Sequence, residues 1–153
     1  MKNSGKVFAV MLFLLIGIPA HAACFVSATG VNFGAYDVFA AAPRDSTGTV
    51  TVTCDNNPPT NVTIAIEASP TSGGFNPRQM PRTSGTDRLN YNLYTSPSMS
   101  TVWGNGSAGT STVFLSGVRR NRPETTTIYG RIPPGQDVSV GSYAETLTVT
   151  ITP

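Results

Sequence analysis

Apolar and polar residues alternate in short runs along most of this chain. Thr49-Val-Thr-Val-Thr-Cys54 places Val50, Val52 and Cys54 on one face, and Asn61-Val-Thr-Ile-Ala-Ile-Glu67 does the same with Val62, Ile64 and Ile66. Leu89 to Leu93, Val113 to Val118 and Thr126 to Ile132 repeat the pattern, and Cys24 to Ala28 and Val31 to Phe33 come before them. A period of two belongs to an extended strand with one buried face, and no stretch sustains the 3.6-residue period of an amphipathic helix. The last run, Gly141 to Thr152, is the most regular. In it Leu147, Val149 and Ile151 alternate with Thr146, Thr148, Thr150 and Thr152. Only Pro153 follows, so the pattern predicts that either earlier strands cover both edges of this run or one edge stays open.

Turn-forming clusters separate the runs: Asp55 to Pro59, Ser69 to Gly74, Gly104 to Gly109 and Pro133 to Gly135. Glycine supplies the backbone angles, and proline the missing donor, that end strands. Short strands punctuated this way predict an all-β sandwich or barrel. Ser72 to Arg88 is the longest stretch without alternation; it holds Arg78, Arg82, Arg88 and Met80 and reads as a loop spanning the sandwich.

The N-terminus changes how the composition is counted. Lys2 and Lys6 precede an apolar run from Val7 to Pro19, and Ala20-His-Ala22 has the form of an export-signal cleavage site. The run is shorter than the roughly 20 residues a membrane-spanning helix needs. Residues 1–22 are therefore expected to be a signal peptide and residues 23–153 one domain, with no integral membrane segment left after processing. Both lysines and His21 leave with the signal, so eight arginines stand against eight carboxylates. A formal charge of zero gives a nucleic acid or anionic membrane little to attract. Arg119-Arg-Asn-Arg122 is the one basic cluster, and reads as a solvated loop or a partner contact.

Cys24 and Cys54, in an exported chain, read as one disulfide. The rival reading, lipidation of Cys24, is disfavoured by His21, which stands where a lipoprotein signal carries an aliphatic residue. Without histidine or lysine, the processed chain lacks the usual nucleophile–base pairs, Schiff-base lysines and imidazole metal ligands. Its carboxylates are scattered singly. No catalytic residue, metal site or cofactor is expected, and the chain reads as a non-enzyme. Trp103, with Tyr36, Tyr91, Tyr94, Tyr129 and Tyr143, could form a surface aromatic platform for glycans or peptides, or could pack in the core. A platform would make the protein a self-sufficient secreted binding module for glycans or matrix polymers.

Six motifs, in order, resemble the spore coat protein U domain family. They are Cys24-x-Val-Ser-Ala-Thr-Gly-Val-x-Phe-Gly-x-Tyr36, Gly48-x-Val-x-Val-x-Cys54, Leu89-x-Tyr-Asn-Leu-Tyr94, Val102-Trp-Gly104, Tyr129-Gly-Arg-Ile132 and Gly141-x-Tyr-x-Glu-Thr-Leu-Thr-Val149. The resemblance implies an immunoglobulin-like β-sandwich that is incomplete, lacking its final strand. It also implies a structural subunit of a surface fibre or coat, assembled by donor-strand complementation, in which another molecule lends the missing strand. The implied partners are a periplasmic chaperone, an outer-membrane usher and other pilus or coat subunits, and the implied destination is the periplasm and then the cell surface. Leu147, Val149 and Ile151 would line one edge of the acceptor groove, and Cys24–Cys54 would match the family disulfide. Cleavage after Ala22 leaves one residue before Cys24, which on this reading suits a tip or terminal subunit that accepts a strand without donating one. N-terminal sequencing of the exported protein is expected to begin at Ala23; a start well upstream would supply a donor segment and remove the argument for a terminal place.

Overall fold

The computed structural model describes residues 23–55 and 58–153; the expected signal, residues 1–22, lies outside the described residues. The described residues form eight strands: β1 (Cys24–Thr29), β2 (Arg44–Cys54), β3 (Thr60–Ile66), β4 (Arg78–Pro81), β5 (Arg88–Tyr94), β6 (Val113–Val118), β7 (Glu124–Ile132) and β8 (Val149–Thr152). They make a five-stranded sheet of order β1-β2-β7-β5-β4 and a three-stranded sheet of order β6-β3-β8, with antiparallel pairing throughout. The core lies between the two sheets. Val50, Val52 and Cys54 of β2 and Val62, Ile64 and Ile66 of β3 are essentially without solvent contact, as their alternation predicts. Each such aliphatic side chain stabilises the fold by about 1.5–3 kcal/mol on burial.

The outward faces are mostly hydroxylic, with Phe25 (opposite Thr53) and Phe114 (opposite Thr63) exposed among the hydroxyls. Thr29, Thr49 and Thr127 form one cross-strand row of the larger sheet, and Ser27, Thr51 and Thr125 form the next. Within these rows the hydroxyls of Thr29 and Thr49, and of Thr51 and Thr125, lie 2.8 Å apart and hydrogen-bond. At the end of the sheet Arg131 donates twice to Asp45, each bond 2.7 Å. That hydrogen bond holds the Asp45 carboxyl below its usual range.

The sequence-based expectations miss in three places. Val31 to Phe33 alternates but does not pair as a strand. It passes over two glycines instead: a Cβ on Gly130 would meet Val31 Cγ1 at 2.7 Å and Phe33 Cζ at 2.8 Å, and one on Gly48 would meet the Thr29 carbonyl oxygen at 2.5 Å. The missing side chains let this segment press into the sandwich, where Phe33 is buried with its ring edge-on to Tyr91. The second miss is Ser72 to Arg88, which is no continuous loop: β4 lies within it, paired with β5 from Arg78↔Tyr91 to Pro81↔Arg88. Arg78 occupies an inward position there and hides the alternation. The third concerns the terminal run, which pairs with β3 only from Val149 onward. Upstream it joins the continuation of β4 through an Arg82↔Tyr143 bridge and a Thr83 N–H donated to the Ser142 carbonyl at 2.8 Å.

The Cys24–Cys54 disulfide is present and ties together the paired ends of β1 and β2. It spans 30 residues of sequence, for which the chain-entropy description gives about 3–4 kcal/mol of stabilisation. Replacing both cysteines by alanine is expected to lower the unfolding free energy read from urea melts by about that amount, and dithiothreitol is expected to do the same to the unmodified protein and nothing to the double variant.

Candidate functional site

The terminal segment carries an inward row of five side chains: Tyr143, Glu145, Leu147, Val149 and Ile151. Each is only half-buried, and each alternates with an exposed neighbour. Their counterparts on the adjacent strand β3, Val62, Ile64 and Ile66, are at most 1% exposed. Both rows have the same strand geometry and the same apolar character, so the difference lies in what covers them. β8 is hydrogen-bonded to β3 along one edge and forms the margin of its sheet on the other. Alternate N–H and C=O groups of such a margin point away from its neighbour and are free to pair with a further strand.

A trough runs beside this margin. One part, about 840 Å³, lies between residues 30–39 and residues 138–145; the other, about 170 Å³, lies between Ala28–Val31 and the side chains of Leu147 and Val149. The two parts share Gly30, Val31, Phe33, Met80 and Glu145 as walls. Ile66, Tyr91, Leu93 and Ile128 contribute to the wall of the narrower part. Of the groove-edge residues expected from the sequence, Leu147 and Val149 line the trough, and Ile151 packs against the core further along the same row. β1 is also incompletely covered: Val26 stands opposite the fully buried Val52, so it shares the core-facing side, yet remains 38% exposed. At the wide end Phe39 and Val140 stand 94% and 93% exposed beside the opening. Single exposed apolar side chains are ordinary, but two at the mouth of an apolar trough extend the surface that a partner would cover.

Two polar groups are built into the interior. Glu145 reaches across from the terminal segment: its Oε1 accepts from the Ser69 hydroxyl at 2.6 Å and the Thr71 N–H at 3.2 Å, and its Oε2 accepts from the Tyr91 hydroxyl at 2.5 Å. Burial, reinforced by the hydrogen bond to Glu145, pushes the Tyr91 hydroxyl far above its usual pKa, so it remains a proton donor. Arg78 is fully buried. Its Nη1 donates to Asn92 Oδ1 at 2.9 Å, and its Nη2 donates to the carbonyls of Trp103 at 2.8 Å and of Ile66 and Glu67 at 3.2 Å. The guanidinium also lies over the Phe75 ring, 5.4 Å from its centroid. Burial lowers its pKa, and the carboxylates of Glu145 and Glu67 work against that shift. Reasoning from sequence missed this residue, because an arginine in a stretch without periodicity reads as surface.

Trp103 is not a surface aromatic. It is 0% exposed, and its indole N–H donates to the Ile64 carbonyl at 3.1 Å. Its backbone is fastened on both sides: the Trp103 N–H donates to the Leu93 carbonyl, and Gly104 lies so close to Thr110 that a Cβ there would meet Thr110 Oγ1 at 2.2 Å. Tyr91 is buried, and Tyr36, Tyr94, Tyr129 and Tyr143 are half-buried, so the expected aromatic platform is not assembled. The arginine cluster forms a solvated turn between β6 and β7, closed by an Arg119↔Arg122 bridge, with Arg120 3.7 Å from Asp55 and Arg122 3.2 Å from Glu124. Exposed pairs of this kind contribute little.

The two facing sheets, the antiparallel pairing and the uncovered margin define an all-β, immunoglobulin-like sandwich. Residues 11–150 match the Spore Coat Protein U domain, and the chain belongs to that family. It is 34% identical over 130 residues to Protein U of Myxococcus xanthus, covering 80% of this chain and 70% of that protein. Among solved structures it is similar to the chaperone–tip adhesion subunit pre-assembly complex from the archaic chaperone–usher Csu pili of Acinetobacter baumannii. That likeness has a TM-score of 0.54 at 21% identity; it covers 85% of this chain but 39% of that one, and is a likeness of fold. The minor tip subunit of the E. coli Hda pilus superimposes more loosely, with a TM-score of 0.42 at 13% identity over 83% of this chain and 79% of that one.

Replacing Arg78 by alanine is expected to leave the Ile66 and Trp103 carbonyls and Asn92 buried without their donor, at a cost of about 3 kcal/mol or more. Denaturant melts followed by Trp103 fluorescence would check this, and acrylamide should quench the native indole far less than the unfolded one.

Proposed function

We propose that this chain is an exported structural subunit of a surface fibre or coat, and that its trough receives a β-strand lent by another molecule. The observation that carries the reading is the contrast between β8 and β3. Adjacent strands of like composition differ in burial because, among the described residues, β3 has a strand on each side and β8 has one on one side. A strand added beside β8 would pair with the free backbone groups and cover Leu147, Val149 and Ile151. It would also fill the trough down to the core. This is β-augmentation, in which main-chain hydrogen bonds supply affinity and alternate side chains supply register. The fold shared with a subunit captured in complex with its chaperone supports the same assignment. In this reading a periplasmic chaperone occupies the trough first, another subunit replaces it, and an outer-membrane usher conducts the exchange. Leu147, Val149 and Ile151 form the acceptor edge, and the role is structural rather than catalytic.

An open apolar margin is also a site of self-association. Expressed alone in a periplasm, the protein is expected to aggregate or be degraded, and co-expression of its cognate chaperone is expected to restore a soluble one-to-one complex. Recovery of a stable, chaperone-free monomer that gains no thermal stability from alternating strand peptides would overturn the proposal.

A further inference from the structure

The terminal row is apolar at Leu147, Val149 and Ile151 and aromatic at Tyr143, but it carries a carboxylate at Glu145. This residue lines both parts of the trough, so an occupying strand must pass it. A carboxylate offers about four acceptor positions. Three are used: two on Oε1, by Ser69 and Thr71, and one on Oε2, by Tyr91. The buried guanidinium of Arg78 acts on it through space but donates none of its hydrogen bonds to it: Nη1 donates to Asn92 and Nη2 to backbone carbonyls. A strand that covered Glu145 with an aliphatic side chain would strip water from a charged group and leave its last acceptor position empty, which is costly. A strand that brought a donor to the same point would complete the shell.

We infer that Glu145 sets the register of the occupying strand by requiring a hydrogen-bond donor, a hydroxyl or an ammonium, at the one inward position that faces it. This rests on the strand-accepting reading above and adds a specificity determinant to it. The apolar positions of the trough supply affinity along the strand without distinguishing one two-residue slip from the next, because a slip of two returns every side chain to the same face. A lone polar position in the row breaks that degeneracy, much as a single polar residue in an apolar seam fixes the register of a coiled coil.

The test uses alternating Val/Thr strand peptides in which each inward Val in turn is replaced by Ser, by Lys or by Glu, with binding to the chain measured by fluorescence anisotropy. The expected result is a single position at which Ser or Lys binds at least about tenfold tighter than Val and Glu binds weakest, corresponding to about 1.4 kcal/mol. Glu145→Leu should reverse that preference at that position and leave the others unchanged. Glu145→Gln, whose single amide oxygen can keep the Ser69 and Thr71 bonds only by placing an N–H donor at the open position, should lose the preference for Lys and the discrimination against Glu. Binding of the all-Val peptide with Val preferred at every position, in the wild type and in both variants, would overturn the role of Glu145 while leaving the strand-accepting trough intact. If no peptide binds at all, the trough reading falls and this inference with it.

Discussion

A sheet of five strands faced by one of three leaves apolar surface that the described residues do not cover. The rest of the structure is arranged around that imbalance. Where β3 lies between β6 and β8, its inward side chains lose all contact with water. Where β8 has, among the described residues, β3 alone beside it, an equally apolar row stays half wet. Hydrophobic burial scales with area removed from water, so the uncovered row is free energy available to whatever next covers it. The same physics that builds the core thus makes the margin adhesive, with hydrogen-bonding edge groups adding direction to an otherwise non-directional attraction.

Polar contacts fix the position of the trough's walls. The terminal segment changes partner along its length, pairing with the continuation of β4 at Tyr143 and with β3 from Val149. Between those two attachments Glu145 bridges to Tyr91 of the larger sheet and to the Ser69–Thr71 turn. On the opposite wall the 31–33 segment is seated on the bare backbone of Gly130. Arg78 performs a similar service deeper in, gathering carbonyls from the end of β3 and from Trp103 onto one guanidinium. Apart from the Arg78 Nε, which has no hydrogen-bond partner, these buried polar groups are paired, and such pairing favours one arrangement of the chain where apolar packing alone would tolerate several.

Most of the fold was legible in the sequence because the inward residues of β2, β3 and β5 are mostly aliphatic or aromatic and most of their neighbours are threonine or asparagine. What escaped did so for identifiable physical reasons. β4 was hidden because one of its two inward positions is Arg78, whose hydrogen-bond acceptors come together only in three dimensions. Val31 to Phe33 had the alternation of a strand, but its fate was decided by two glycines far away in sequence, Gly48 and Gly130. Trp103 could be placed outside or inside on composition alone, and only the location of the Ile64 carbonyl settles it. Of the candidate site, Leu147 and Val149 were visible through their period of two. Glu145 sat in the same run unremarked, because a single carboxylate in an alternating strand looks like a solvent-facing residue until its row is known to face inward.

The hydroxyl rows on the larger sheet have a bearing on crowding. Thr29 with Thr49, and Thr51 with Thr125, satisfy one another across the strands, so that face stays wettable with almost no ionised groups. Surfaces of this kind neither repel like copies at long range nor depend on ionic strength for their solubility. If copies assemble as proposed, contacts along this face would be made through hydroxyls more than through fixed charge, and salt would change them little.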